Sequence, residues 1–356
     1  MVRDCLMTLS GFTGDLVLRL SVCISMLFIP MIATSQPPDM REAIISVERI
    51  WDRAGHNAFT DILSFRGTLY CCFREGTGHV PGLNGTIRVI ASDDGQNWRS
   101  VAHMALGGVD LRDPKLSVAP DGRIMALMGG SVYDGNQRVS MAPRVAFSNT
   151  GGTEFSRPQP IFIDERIRSD HDWLWRVTWH QGTGYGVIYQ PRVEPQAVQL
   201  VATIDGIGYS YVTTFRLDGR PNETTLRFLP DDTMIALVRR EEGDQRGMIG
   251  TSVPPYKEWT WAKLFRRLGG PNFIRLPDGS LLCGTRDYRQ EDAYSTLLGF
   301  IDIRGQFEDL FRLPSGGDTS YPGFASHNGT LYVSYYSSHE GKSAIYLAKL
   351  RLAAFY

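Results

Sequence analysis

The sequence predicts an all-β protein built as a six-bladed β-propeller. Three observations lead there. Past residue 36 the chain has no long amphipathic helical stretch. It shows short runs of Val, Ile, Leu, Phe and Tyr broken by Gly, Asp, Asn and Pro, the pattern of strands and turns. One hairpin turn recurs six times at a period near fifty residues, and such a period with several strands per copy signifies propeller blades. A second turn motif recurs between the hairpins.

The hairpins turn at Phe65-Arg66-Gly67, Pro120-Asp121-Gly122, His180-Gln181-Gly182, Pro230-Asp231-Asp232, Pro277-Asp278-Gly279 and His327-Asn328-Gly329. Asp-Gly and Asn-Gly are strong two-residue hairpin signals, because both central residues take positive φ. The last turn residues are 55, 60, 50, 47 and 50 positions apart. The copies therefore fill residues 36–356 as one propeller domain. A propeller ring closes when a strand from one terminus completes the blade made by the other. Residues 44–50 are suited to supply that strand.

Residues 1–35 read as a secretory signal peptide. Arg19 precedes an apolar run from Leu20 to Ala33, and the small residues Ala33 and Ser35 flank a cleavage point before Gln36. The run is short for a membrane span. A secreted or periplasmic protein is expected, with no stable membrane insertion once the segment is removed. Cys5 and Cys23 fall in this segment, which leaves Cys71, Cys72 and Cys283. An odd set with two adjacent members is no disulfide framework. It reads as small apolar filling, and no Cys or His spacing suggests zinc. No cofactor or metal site is expected. The net charge of −1 gives no general attraction to nucleic acid, so any functional charge is local. The seven Trp and fifteen Tyr are read first as core.

Within the repeat, the seventh position after each final turn residue is Arg74, Gly129, Tyr189, Arg239, Arg286 and Tyr336. Equivalent positions of a radial repeat converge on the axis, so three guanidinium groups should meet there. Clustered like charges are costly without a bound anion, and Arg suits bidentate carboxylate recognition. At the start of the inner strands stand Asp113, Glu223 and Tyr321, eight or nine residues before their turns, where they too face the axis. His56, Asn57, Arg176 and Asn272 head other blades and are candidate pocket residues, although packing is the first expectation for neighbouring Trp175. His339 follows the blade-six strand and is a candidate to border the pocket. Asn84, Asn222 and Asn328 lie in Asn-x-Thr triplets but are not read as glycan sites.

The second turn, Ser92-Asp-Asp94-Gly95-Gln-Asn-Trp98, resembles the Asp box of sialidase-type propellers, one residue short. Ser148–Phe155 and Thr203–Tyr209 are further copies, the first with Thr150 in the Asp position. Such an Asp caps backbone amides of its turn and argues fold, not catalysis. Together with Phe73-Arg74-Glu-Gly, with Glu223 followed by Arg239, and with Gly284-Thr-Arg286-Asp followed by Tyr321, the chain resembles the sialidases along the whole of residues 36–356.

The resemblance implies a retaining exo-glycosidase acting on a carbohydrate that carries a carboxylate. Arg74, Arg239 and Arg286 would bind the carboxylate, Tyr321 would be the nucleophile and Glu223 its base. The family's acid/base Asp belongs in the loop after Arg74. Here that loop holds His79 and no Asp. His79, Asp113 or Asp110 supplies the proton, or the acid is absent. Two alternatives stay open: a uronate-directed lyase using His79 and Tyr321, and a non-catalytic sugar-binding propeller. The oligomeric state is not legible.

Overall fold

The computed structural model describes residues 40–79, 85–194, 196–289 and 294–356. Residues 1–35, read above as a signal peptide, and Asn84 lie outside them. Six antiparallel sheets follow one another along the chain. Blade one comprises His56–Phe65, Thr68–Gly76, Thr86–Ser92 and Arg99–Met104. Blade two comprises Asp110–Val118, Ile124–Asp134, Gln137–Phe147 and Gln159–Pro160. Blade three uses Trp173–His180, Thr183–Tyr189, Val198–Thr203 and Gly208–Phe215, with Phe162–Ile163 added in parallel at its edge. Blade four uses Pro221–Phe228, Met234–Arg240, Arg246–Ser252 and Thr260–Arg267. Blade five uses Asn272–Arg275, Leu281–Asp287, Ser295–Ile301 and Phe307–Arg312.

Blade six confirms the expected closure. Thr319–His327, Thr330–Ser337 and Ala344–Arg351 come from the C-terminal end, and Ile44–Trp51 adds the outer strand. Its register runs from Ile44 opposite Leu350 to Trp51 opposite Ile345. Trp51 then donates its indole N–H to Glu75 Oε1 at 2.7 Å, tying the closing strand to blade one. Deleting residues 44–51 is expected to bare the Ala344–Arg351 strand as an edge. The thermal midpoint should fall by at least about 5 °C, with concentration-dependent self-association visible in light scattering.

The apolar layers lie between neighbouring blades. Cys71 and Cys72 illustrate the alternation of a strand: Cys71 packs toward blade six with Phe73 and Leu347, and Cys72 toward blade two with Leu116 and Ala126. Both are free and buried, as is Cys283. Burial pushes all three thiols up in pKa, in keeping with the filler reading.

The turns divide into two kinds. At Arg66-Gly67, Gln181-Gly182 and Asn328-Gly329 both central residues take positive φ, as expected for two-residue hairpins. At the Pro120, Pro230 and Pro277 turns only the last residue does: Gly122, Asp232 and Gly279. Proline sets φ near −65° and starts a type I turn. That turn closes with Gly122 N–H on Ala119 O at 2.9 Å, and Ala119 N–H then rejoins the ladder at Arg123 O, also 2.9 Å. The Asp-box turns form as read. Asp94 Oδ1 accepts the amides of Gln96 and Asn97, both at 2.8 Å, and Asp205 Oδ1 those of Ile207 and Gly208 at 2.8 and 2.9 Å. In the copy with Thr150, Asn149 Oδ1 takes over and accepts Thr153 N–H at 2.9 Å.

Candidate active site

Five of the six inner strands carry a β-bulge at the same height. The ladder slips between Ala58 and Asp61, Arg112 and Lys115, Leu174 and Val177, Pro221 and Thr224, and Ser320 and Gly323. A bulge sets two residues against one and re-aims a side chain. Phe59, Asp113 and Tyr321 sit in these bulges at φ of 64°, 47° and 56°. Positive φ is strained for such residues, and strain of that kind concentrates at functional sites. The result is convergence on the axis. The Tyr321 ring of blade six meets Phe59 of blade one at 5.3 Å and Trp175 of blade three at 5.4 Å.

Tyr321 donates its hydroxyl to Glu223 Oε1 at 2.6 Å. Arg239 Nη1 lies 2.7 Å from the same oxygen, and Gly270 N–H donates to Oε2 at 3.0 Å. The carboxylate is thus held in one orientation with its charge balanced. Gly270 is required there. Its φ is 58°, and a Cβ would stand 2.7 Å from the Tyr321 ring. Burial raises the Tyr321 hydroxyl well above its ordinary pKa, and the Glu223 charge adds to this. The phenol is neutral at rest and needs a base to become a nucleophile.

The in-phase arginines do not all reach the Tyr321–Glu223 pair. Arg239 bridges Glu223 and Glu241. Arg286 donates from Nε to Thr319 O at 2.7 Å and from Nη2 to the Tyr336 hydroxyl at 3.1 Å. Both feel Tyr321 and are only slightly exposed. Arg74 departs from the expected triad. It is fully buried, with Nε on Asp110 Oδ1 at 2.9 Å and Nη1 on Gly78 O at 2.9 Å. A Cβ at Gly85 would lie 2.4 Å from its Nε, so backbone walls it in. Its position in the repeat is right, but Asp110 of the next blade captures it. Two other cations stand near the centre instead. Arg112 lies over the Phe59 ring at 5.1 Å, and Lys115 over Trp175 at 4.5 Å.

The candidate acids separate clearly. His79 Nδ1 is 2.7 Å from Asp318 Oδ2, and the side chain is 45% exposed, so it is engaged at the rim. Asp110 is spent on Arg74 and Arg112. Asp113 keeps some exposure as a residue, but its Oδ1 is sealed from solvent with no hydrogen-bond partner among the described residues. Burial raises its pKa against the attraction of Arg112 and Lys115, with the Glu223 charge pushing the same way as burial and His79 opposing. A carboxyl raised in the folded state favours folding below about pH 3.9 and loses that contribution as pH rises through its folded pKa. Asp113→Asn is therefore expected to exceed the parent in stability at pH 7 and to match it near pH 3 in urea titrations.

The remaining candidates are mostly structural. Asn57 is buried and donates to Ala54 O and Ser343 O at 3.0 and 2.8 Å. Arg176 is a buried bidentate partner of Asp61 at 2.8 and 3.1 Å. Asn272 links blade five to Pro322 O at 3.0 Å. None of the three is free to bind a sugar. Trp175 packs as expected, and His339 is held by Ser337 against Tyr346. His56 Nε2 instead meets Asp318 Oδ2 at 3.2 Å. Asp318 was missed by sequence reasoning, as were Arg112, Lys115 and Glu241. A signal for it existed: Asp110-Leu-Arg-Asp113-Pro and Asp318-Thr-Ser-Tyr321-Pro repeat the same frame.

No protein-family profile and no curated protein matches the chain. Solved structures do. Trypanosoma rangeli sialidase superposes with a TM-score of 0.66 at 10% identity, over 85% of this chain and 56% of that one. The fold is that of the sialidases. Phage phi92 endosialidase shares the sialidase fold at a TM-score of 0.66 and 10% identity, over 86% of this chain and 69% of that one. A protein of unknown function from Dyadobacter fermentans DSM 18053 reaches a TM-score of 0.75 at 19% identity, over 86% of this chain and 98% of that one. The chain thus spans little more than half of the trypanosomal sialidase, and at these identities the likeness is one of fold.

Proposed function

We propose that the protein is a retaining exo-glycosidase of sialidase type, releasing a terminal sugar that carries a carboxylate. The observation that carries this reading is the Tyr321 hydroxyl on Glu223 Oε1 at 2.6 Å, with Arg239 on that same oxygen. A phenol suits this nucleophilic role because a carboxylate nucleophile would be repelled by the substrate's own carboxylate. Trypanosoma rangeli sialidase, which shares the fold, binds sialic acid and forms a covalent intermediate with 2,3-difluorosialic acid.

The steps follow from the residues. Arg286 and Arg239 hold the substrate carboxylate and orient the anomeric carbon above Tyr321. Tyr321 Oη attacks that carbon and its proton passes to Glu223 Oε1. Asp113, whose carboxyl is raised in pKa by burial, donates its proton to the leaving oxygen. The Asp113 carboxylate then takes a proton from water, which displaces the Tyr321 oxygen. The phenol regains its proton from Glu223. Residues 1–35 would export the enzyme to the carbohydrate outside the cytoplasm.

Hydrolysis of a fluorogenic sialoside by the purified protein tests the reading. Turnover is expected to fall as pH rises through the raised Asp113 pKa, and Asp113→Asn should flatten that alkaline limb. Absence of turnover on every sialoside and uronoside offered would sink the glycosidase reading and leave a sugar-binding propeller.

A further inference from the structure

We propose that His56, His79 and Asp318 form a site for a divalent transition metal, Zn2+ first, beside the Phe59 and Tyr321 rings. His56 begins the first strand of blade one, His79 lies in the loop after its second strand, and Asp318 immediately precedes blade six. Three separate segments thus bring His56 Nε2, His79 Nδ1 and Asp318 Oδ2 within 4.8 Å of one another. The imidazoles stand 3.2 and 2.7 Å from the carboxylate oxygen. Tetrahedral ligands at zinc bond lengths are separated by roughly 3.3 Å, so the His79–Asp318 contact would open by about 0.6 Å and the imidazoles would rotate about the ion. Two imidazoles and one carboxylate are donors that suit Zn2+.

The surroundings favour a built site over a chance contact. Asp318 Oδ1 accepts the Tyr336 hydroxyl at 2.7 Å, which fixes the carboxylate as outer-shell bonds fix metal ligands. His56 and Asp318 occupy the same place in their blades, three residues before the bulge residues Phe59 and Tyr321. The matching residues of blades two and three, Asp110 and Asp172, are committed to neighbours. Asp110 pairs with Arg74 and Arg112, and Asp172 accepts from Ser169 and Gln190. Asp318 differs, because Arg286 stands off at 3.7 Å and the carboxylate turns to two imidazoles. Without metal, hydrogen bonds among the same atoms hold the geometry. The exposure of His79 gives an ion access.

Three protein ligands leave a position for water or a sugar oxygen. The His79 ring lies 5.0 Å from Phe59, which touches Tyr321. The ion would therefore add positive charge beside the sugar pocket. The site does not depend on the glycosidase reading, and its test does not use turnover.

Zn2+ titration of the full chain against a chromophoric chelator is expected to show an equivalent that disappears, by more than about 100-fold in affinity, in His79→Ala and Asp318→Asn. Tyr336→Phe should weaken it by about 10–100-fold. Co2+ in the same site should absorb in the visible without a sulfur charge-transfer band, which separates it from binding by cysteine. Because His79 is at the surface, His79→Ala should unfold at the parental midpoint in metal-free buffer. No bound Zn2+ in the parent, or an unchanged titration in both ligand variants, would overturn the proposal.

Discussion

Tyr321→Phe is expected to lower turnover of a carboxylated glycoside by at least about 10³-fold, while the affinity for a non-hydrolysed carboxylated sugar changes by less than about tenfold. The substitution removes one oxygen. Glu223 keeps Arg239 and the Gly270 amide, and the ring keeps Phe59 and Trp175. The pocket and the arginines beside it therefore survive. The split between turnover and binding is the decisive readout, because loss of both would indicate a collapsed pocket instead of a missing nucleophile. Glu223→Gln should follow in direction, since the neutral phenol loses its base. It should also weaken the hold on Arg239, so some binding is lost with it. Calorimetric binding beside initial rates measures both quantities. Retained turnover in Tyr321→Phe would remove Tyr321 from the chemistry.

The largest expected effect on stability lies at Arg74. Asp110→Ala should destabilise the protein by about 3–5 kcal/mol, because it strands a fully buried guanidinium. Arg112 loses its partner in the same change. Replacing both members together, as Arg74→Met with Asp110→Leu, should recover much of the loss, since a buried ion pair is often matched by apolar residues of similar volume. Denaturant unfolding of the two variants beside the parent distinguishes this from a binding role. If Arg74 were an exposed substrate ligand, Asp110→Ala would cost little stability. The double variant should then also lose sugar binding, whereas the geometry predicts binding within a few-fold of the parent.

The candidate site was legible where chemistry and phase coincide. Arg239, Arg286, Glu223 and Tyr321 were found by counting from turns, because a radial repeat maps equal sequence positions onto equal heights. Arg74 satisfied the same count and was captured by Asp110 of the next blade. That contact joins residues 36 positions apart and has no sequence period. Asn57, Arg176 and Asn272 erred in the same way. A polar residue at a strand start reads alike whether it faces a ligand or a neighbouring blade. His79 was placed in the right loop, but its partner Asp318 is 239 residues away.

Blade number, closing strand and small-residue turns were readable from local pattern alone. These follow from local rules: strand alternation, positive φ in tight hairpins and a repeat period near fifty. Which polar residues reach the axis depends on how the blades fold against one another. Bulges turn Phe59, Asp113 and Tyr321 inward at positive φ, and no residue type announces a bulge in advance. Only the structure likewise decided which charges are spent. Arg74 pairs with Asp110 and Arg176 with Asp61 in the core, whereas Asp113 Oδ1 is buried with no hydrogen-bond partner among the described residues. The difference is one of long-range pairing in a low-dielectric interior, which is set by where the blades meet.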